Sequence, residues 1–143
     1  MTTTTTQGNA MAPEFRAAQN FQPSTDIVAY AVVKYDGTNA PDGVVVTAAD
    51  TDLPMGVLAQ ALKRAGGVEG SNVSDVGDMV IKGRTRVIAS GMIGANARIA
   101  PAANGKVQAA ASGDMVMGTA KEAAASDGDI IMAEIDCTAC QLM

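Results

Sequence analysis

From Asp26 onward the chain is a series of short runs rich in valine, isoleucine and alanine. Polar, glycine-bearing breaks separate them at Asp36-Gly37, Pro41-Asp42-Gly43, Gly66-Gly67, Gly77-Asp78, Asn104-Gly105 and Asp127-Gly128-Asp129. Apolar runs this short, bounded by residues that favour turns, predict an all-β domain, a small barrel or sandwich. The candidate strands span 27–35, 43–48, 55–61, 78–89, 96–100, 106–110, 115–121 and 129–136. Asn104-Gly105, set between Ala97-Arg98-Ile99-Ala100 and Lys106-Val107-Gln108-Ala109, predicts a hairpin, because Asn-Gly accepts the positive φ angles of tight turns.

Residues 57–64 fit a strand, but Leu58, Leu62 and the following Gly66 also suit a short glycine-capped helix. A faint internal echo joins Met55-Gly56 and Gly77-Asp78-Met79-Val80-Ile81 to Met117-Gly118 and Gly128-Asp129-Ile130-Ile131-Met132. It reads either as two similar strand-loop-strand units or as coincidence in a chain rich in alanine, glycine and valine. Two copies fall short of the three that a solenoid usually needs.

Residues 1–26 differ from the rest. A threonine run precedes Gln7-Gly8-Asn9, Pro13, Gln19-Asn20 and Gln22-Pro23-Ser24, with Phe15 and Phe21 as isolated apolar points. This pattern predicts an extended, unpacked N-terminal arm ahead of a β-rich domain over 27–143. Ordering such an arm costs roughly 1 to 2 kcal/mol per residue in backbone entropy, so an ordered arm needs a partner.

At 143 residues and 14.4 kDa the chain suits one domain, and roughly two thirds of its surface can be buried without disulfide or metal. Composition narrows the chemistry. Histidine is absent, which excludes an imidazole base, Ser-His and Cys-His nucleophile pairs and His-ligated zinc. There is no tryptophan, and two phenylalanines with two tyrosines leave few platforms for stacked bases or flat cofactors. Fifteen acidic against ten basic residues give a net charge of -5, which argues against nucleic acid as a partner. The start Met1-Thr2 lacks the cationic and apolar parts of a signal peptide. No apolar run reaches the roughly 18 residues of a membrane span, so the expectation is a soluble protein made in a cytoplasm.

Few motifs offer chemistry. Cys137-Thr138-Ala139-Cys140 has C-x-x-C spacing, but lacks the helix start of a redox motif and the four ligands of structural zinc, so plain tail residues are the expectation. Asp127-Gly128-Asp129 with Glu134 and Asp136 departs from a calcium loop and reads as a solvated turn. Gly66-Gly67-Val68-Glu69-Gly70 is followed by no Gly-Lys-Ser/Thr and reads as a surface loop. Lys82, Arg84 and Arg86 alternate along one candidate strand, so their charges share a face, with Arg98 a further member. That stripe is either a solubilised sheet face or a docking surface for an acidic partner. Lys82 lacks the turn of a biotinyl or lipoyl carrier lysine. No catalytic residues, metal ligands or cofactor are expected.

The order of these features resembles the tailed-phage capsid cement, or decoration, protein family. The residues are Met55-Gly56-Val57-Leu58, Gly77-Asp78-Met79-Val80-Ile81-Lys82-Gly83, the Asn104-Gly105 hairpin, Met117-Gly118-Thr119-Ala120 and Gly128-Asp129-Ile130-Ile131. Residues 43–136 follow the family's order of strands. The segment 1–26 lies outside the match, and the terminal Cys-Thr-Ala-Cys departs from it. The resemblance implies a non-enzymatic virion protein on the outer surface of the mature capsid. It implies a homotrimer that bridges neighbouring subunits of the major capsid protein, with neither nucleic acid nor membrane as partner. Capsid-binding candidates are Phe15, Arg16 and Phe21 of the arm, since ordered rings bury large area at low entropic cost, and Lys82, Arg84 and Arg86 of the stripe. Packing of the two rings on their own domain is the alternative. A tail or fibre component is the second expectation for function, and a small carrier domain the third.

Overall fold

The computed structural model describes residues 12–23, 25–39, 41–64 and 75–143. Among them the fold is all-β: β1 (Glu14–Gln19), β2 (Val32–Tyr35), β3 (Val44–Val46), β4 (Gly56–Leu58), β5 (Val76–Ile88), β6 (Arg98–Pro101), β7 (Val107–Ala109), β8 (Met115–Val116), β9 (Gly118–Ala120), β10 (Ile130–Asp136) and β11 (Gln141–Leu142). One curled sheet runs in the order β3-β2-β4-β5-β10-β9-β6-β7, with β1 also on β5; β8 and β11 form a separate pair.

Strand β5 organises the sheet. Val80 lies between Val57 of β4 and Phe15 of β1, so those two strands occupy opposite edges. Opposite β4, β1 covers Val76 to Lys82 and β10 covers Lys82 to Ile88, end to end. The handover falls at Gly83, where φ is +117° and a Cβ would lie 2.8 Å from the Cα of Pro13, so glycine is needed for the chain to cross. Parallel bridges from Gln19 to Gly43 and from Ala89 to Val107 curl the two ends of the sheet into half-barrels.

The two halves repeat one unit. Ile27 and Leu62 exchange two backbone hydrogen bonds, both 2.8 Å, as do Ile93 and Ala124 at 3.0 and 2.9 Å. Tyr30, at φ +69°, donates its N–H to the Leu58 carbonyl, and Asn96, at φ +67°, donates to that of Ala120. The buried residues correspond as well. Ala18, Ile27, Val33, Val44, Leu58, Leu62, Met79 and Ile81 form one core cluster. Val87, Ile93, Ile99, Val107, Ala120, Ala124, Ala133 and Ile135 take the same places in the other. The Met-Gly echo thus marks β4 and β9, each paired antiparallel to the long strand of its half.

One difference between the halves joins them. Val32, Val57 and Val80 are buried and belong to the second half's cluster, whereas their counterparts Arg98, Thr119 and Glu134 face outward. The back of the first half therefore supplies apolar area to the second, and burial at roughly 25 cal/mol per Å² holds the halves together.

Each strand expected from the pattern has a counterpart. The Asn-Gly turn has φ of +62° at Asn104 and +71° at Gly105, the positive pair a tight hairpin needs. Residues 57–64 are not a helix: after β4 the chain bends, and Leu62 pairs with Ile27. The expected unpacked arm is corrected in its described part, because Glu14–Gln19 is a sheet strand and Ala18 is fully buried. Its local pattern is weak; the open edge of β5 makes it a strand. The loop expected at Gly66–Gly70 lies outside the described residues.

Candidate interaction surface

Strands β1, β5 and β10 present a shared outer face. Phe15 is 53% exposed on β1; Arg16, the next residue, is exposed on the opposite face of that strand, where it borders a shallow hollow with Met55, Met79, Ile81 and Thr138. The bulge between Glu14 and Phe15 sets Glu14 opposite Lys82. Phe21, 37% exposed, lies beyond the other end of β1. The structure therefore brings Phe15 and Arg16 to the strand that carries Lys82, Arg84 and Arg86, and leaves Phe21 apart from the stripe.

The stripe is not a bare row of cations. Antiparallel register sets Glu134 across from Arg84 and Asp136 across from Lys82. Arg84 Nε lies 3.4 Å from Glu134 Oε2, and Lys82 Nζ 3.9 Å from Asp136 Oδ2. The Asp136 carboxyl sits below its ordinary range, first because the Thr138 hydroxyl donates to it, then through the Thr138 N–H and the Lys82 charge, against some cost of burial. Arg86 stands opposite Met132 and, among the described residues, forms no ion pair, nor does Arg98. An open hollow of about 360 Å³ lies where β1, β5, β9 and β10 meet, lined by Glu14, Lys82, Arg84, Thr119, Glu134 and Asp136 among others. Its charges are mixed and exposed, which suits polar contacts with a broad partner surface rather than enclosure of a small molecule.

Several of the other acidic residues hold turns. Asp129 accepts the N–H groups of Ala125 and Ser126 at 2.9 and 3.1 Å, which holds its carboxyl low and accounts for the Asp127-Gly128-Asp129 turn without a cation. Among the described residues no three His, Cys, Asp or Glu side chains stand close enough to hold a metal, and no buried side-chain polar atom lacks a partner. Sequence reasoning missed the exposed apolar residues Leu53, Met92, Ile130 and Leu142. Ile130 sits in an alternating strand, and only the tertiary pairing decides which of its faces meets water.

No protein-family model and no curated protein matches this chain. The structure is similar to the crystal structure of the N base of head fiber gp8.5 in bacteriophage phi29, with a TM-score of 0.63 and 17% sequence identity over 88% of this chain and 96% of that one. At that identity the likeness shows a shared fold.

Proposed function

We propose that this protein is a non-enzymatic structural component of a phage virion, bound to the outer surface of the mature capsid, where it bridges neighbouring major capsid subunits. The observation that carries this reading is the fold shared with a phage head fiber base over nearly the whole of both chains. The outer face of β5 supports it: exposed Phe15 sits on the neighbouring strand opposite Val80, and farther along β5 stands Arg86, whose charge no acidic side chain among the described residues neutralises. In this reading Phe15 and Phe21 supply apolar anchors, and Arg16, Lys82, Arg84 and Arg86 supply positive charge toward an acidic patch of the shell. As a homotrimer it would bind through three such faces at once, so modest contacts combine into avidity.

Cosedimentation with empty, expanded capsids tests this. Saturable binding at a multiple of three copies per facet, weakened by Phe15→Ser with Arg16→Ala and retained in a variant lacking residues 1–11, is the expected result. Absence of saturable binding overturns it.

The same likeness favours a second reading, the base of a fibre. Gold-labelled protein seen by electron microscopy separates the two: cement covers the shell evenly, whereas a fibre base marks sparse projections.

A further inference from the structure

Cys137 and Cys140 occupy the turn that leads from β10 to β11. The Cys137 N–H donates to the Ile81 carbonyl at 2.8 Å, and the Ala139 N–H donates to that of Asp136 at 3.4 Å. The Asp136 carboxylate accepts the N–H of Thr138 at 3.0 Å. The turn so held folds Cys140 back until its Sγ lies 3.4 Å from the Asp136 carbonyl, and the two thiols hydrogen-bond each other. Both side chains pack against the second core cluster. Among the described residues no third ligating side chain joins them, so the pair is not set up to hold a metal.

We propose that Cys137 and Cys140 are an oxidative modification site, closing into an intramolecular disulfide on meeting a small disulfide such as oxidised glutathione, and thereby tying β11 to β10. A C-x-x-C turn that packs both side chains against one cluster brings the two thiols into each other's reach.

The two sulfurs differ in reactivity. The hydrogen bond from Cys137 holds the Cys140 thiol below its ordinary value, while that bond, burial and the Asp136 charge hold Cys137 far above. Cys140 also stands between exposed Ala139 and Gln141 at the outer end of the turn, whereas Cys137 is tied to Ile81, so Cys140 is the first nucleophile in this scheme. Its thiolate attacks one sulfur of oxidised glutathione and expels one glutathione thiolate, leaving a mixed disulfide on Cys140. Cys137 then gives its proton to solvent and attacks the Cys140 sulfur, expelling the second glutathione. Two electrons pass from the cysteine pair to glutathione, and the internal S–S bond is the product.

The ring closes beside a weak element. Strand β11 has two residues, Gln141 opposite Val116 and Leu142 opposite Met115, extended only by the backbone bonds of Met143 to Gly113 and Asp114. Restraining its root removes freedom from the frayed state and favours the paired one.

The test equilibrates the full chain in reduced and oxidised glutathione, quenches thiols with acid, and reads intact mass, a peptide map and amide exchange. The expected result is a species about 2 Da lighter than the reduced protein, with Cys137 linked to Cys140 and exchange at Met143, whose N–H donates to the Asp114 carbonyl, slowed about tenfold. Cys137→Ser should stop instead at a stable glutathione adduct on Cys140. A wild-type chain that ends as that adduct, as a covalent dimer or as the unchanged dithiol overturns the proposal. An internal disulfide without slowed exchange overturns the restraint of β11.

Discussion

Asp52 and Asp114 occupy the same place in two copies of one turn. Asp52 Oδ2 accepts the N–H groups of Ala48 and Ala49 at 2.7 and 3.0 Å, and Asp114 Oδ2 accepts that of Ala111 at 2.9 Å. Each stands three residues before a Met-Gly pair, Met55-Gly56 or Met117-Gly118. The turns also touch, since the Met115 N–H donates to the Asp50 carbonyl at 2.8 Å.

Both carboxyls are held below their ordinary value, Asp52 first by the Ala48 N–H and also by Lys34 at 3.1 Å, Asp114 first by the Ala111 N–H and also by Gln108. A folded pKa below the unfolded one contributes stability above about pH 4 that disappears as pH falls through the folded pKa. The melting temperature should therefore decline on acidification from about pH 5 to about pH 3. In Asp52→Asn with Asp114→Asn it should be lower at pH 7 and fall less steeply with acid, which calorimetry across that range measures.

A Cβ at Gly118 would lie 2.2 Å from the Glu134 carbonyl oxygen and 2.8 Å from the Ile135 Cα, both backbone. At Gly56 it would meet the Met79 Sδ, which can turn aside, and the Val80 oxygen, each at 2.9 Å. Urea unfolding should show Gly118→Ala losing about 3 kcal/mol or failing to fold, with Gly56→Ala costing less.

Val57→Ala should cost about 2 kcal/mol, since it opens a gap between the halves, whereas Thr119→Ala, at the matching outer position, should stay within about 0.5 kcal/mol of wild type. Equal effects at the two positions would contradict the packing of one half's back on the other half's core.

Exposed ion pairs contribute little to stability, so Arg84→Ala and Lys82→Ala should leave the melting temperature almost unchanged. If the proposed docking holds, Arg86→Glu should weaken cosedimentation with capsids more than either, because Arg86 has no carboxylate opposite it. The difference should shrink in high salt.

Deleting residues 1–20 should destabilise the fold rather than merely remove an arm. It uncovers half of one edge of β5 and empties the place of Ala18, which is fully buried. Circular dichroism melts of that variant against one lacking residues 1–11 measure the loss. An unchanged melt would place β1 outside the stable core.

The strands of residues 27–136 were legible from turn-forming pairs and short apolar runs. The Met-Gly part of the echo pointed at a repeat that backbone bonding bears out, whereas its Gly77-Asp78 and Gly128-Asp129 members stand three positions out of register. Its second members, Ala120, Ala124 and Ala133, differ in size from Leu58, Leu62 and Met79, which hides the correspondence from composition. The stripe Lys82, Arg84 and Arg86 was legible as a shared face, because alternation is local. Its partial neutralisation by Glu134 and Asp136 was not, because antiparallel register joins positions about fifty residues apart.

All-β character, the Asn-Gly hairpin and the lack of any histidine chemistry thus follow from residue types and near-neighbour spacing, which act through local backbone preference and side-chain chemistry. The incorporation of Glu14–Gln19 into the sheet, the burial of Val32, Val57 and Val80, and the meeting of two thiols in one turn came from the fold. Each depends on which edge or face another segment leaves open, and that is settled only when the chain's hydrogen-bonding groups and apolar surfaces are satisfied together.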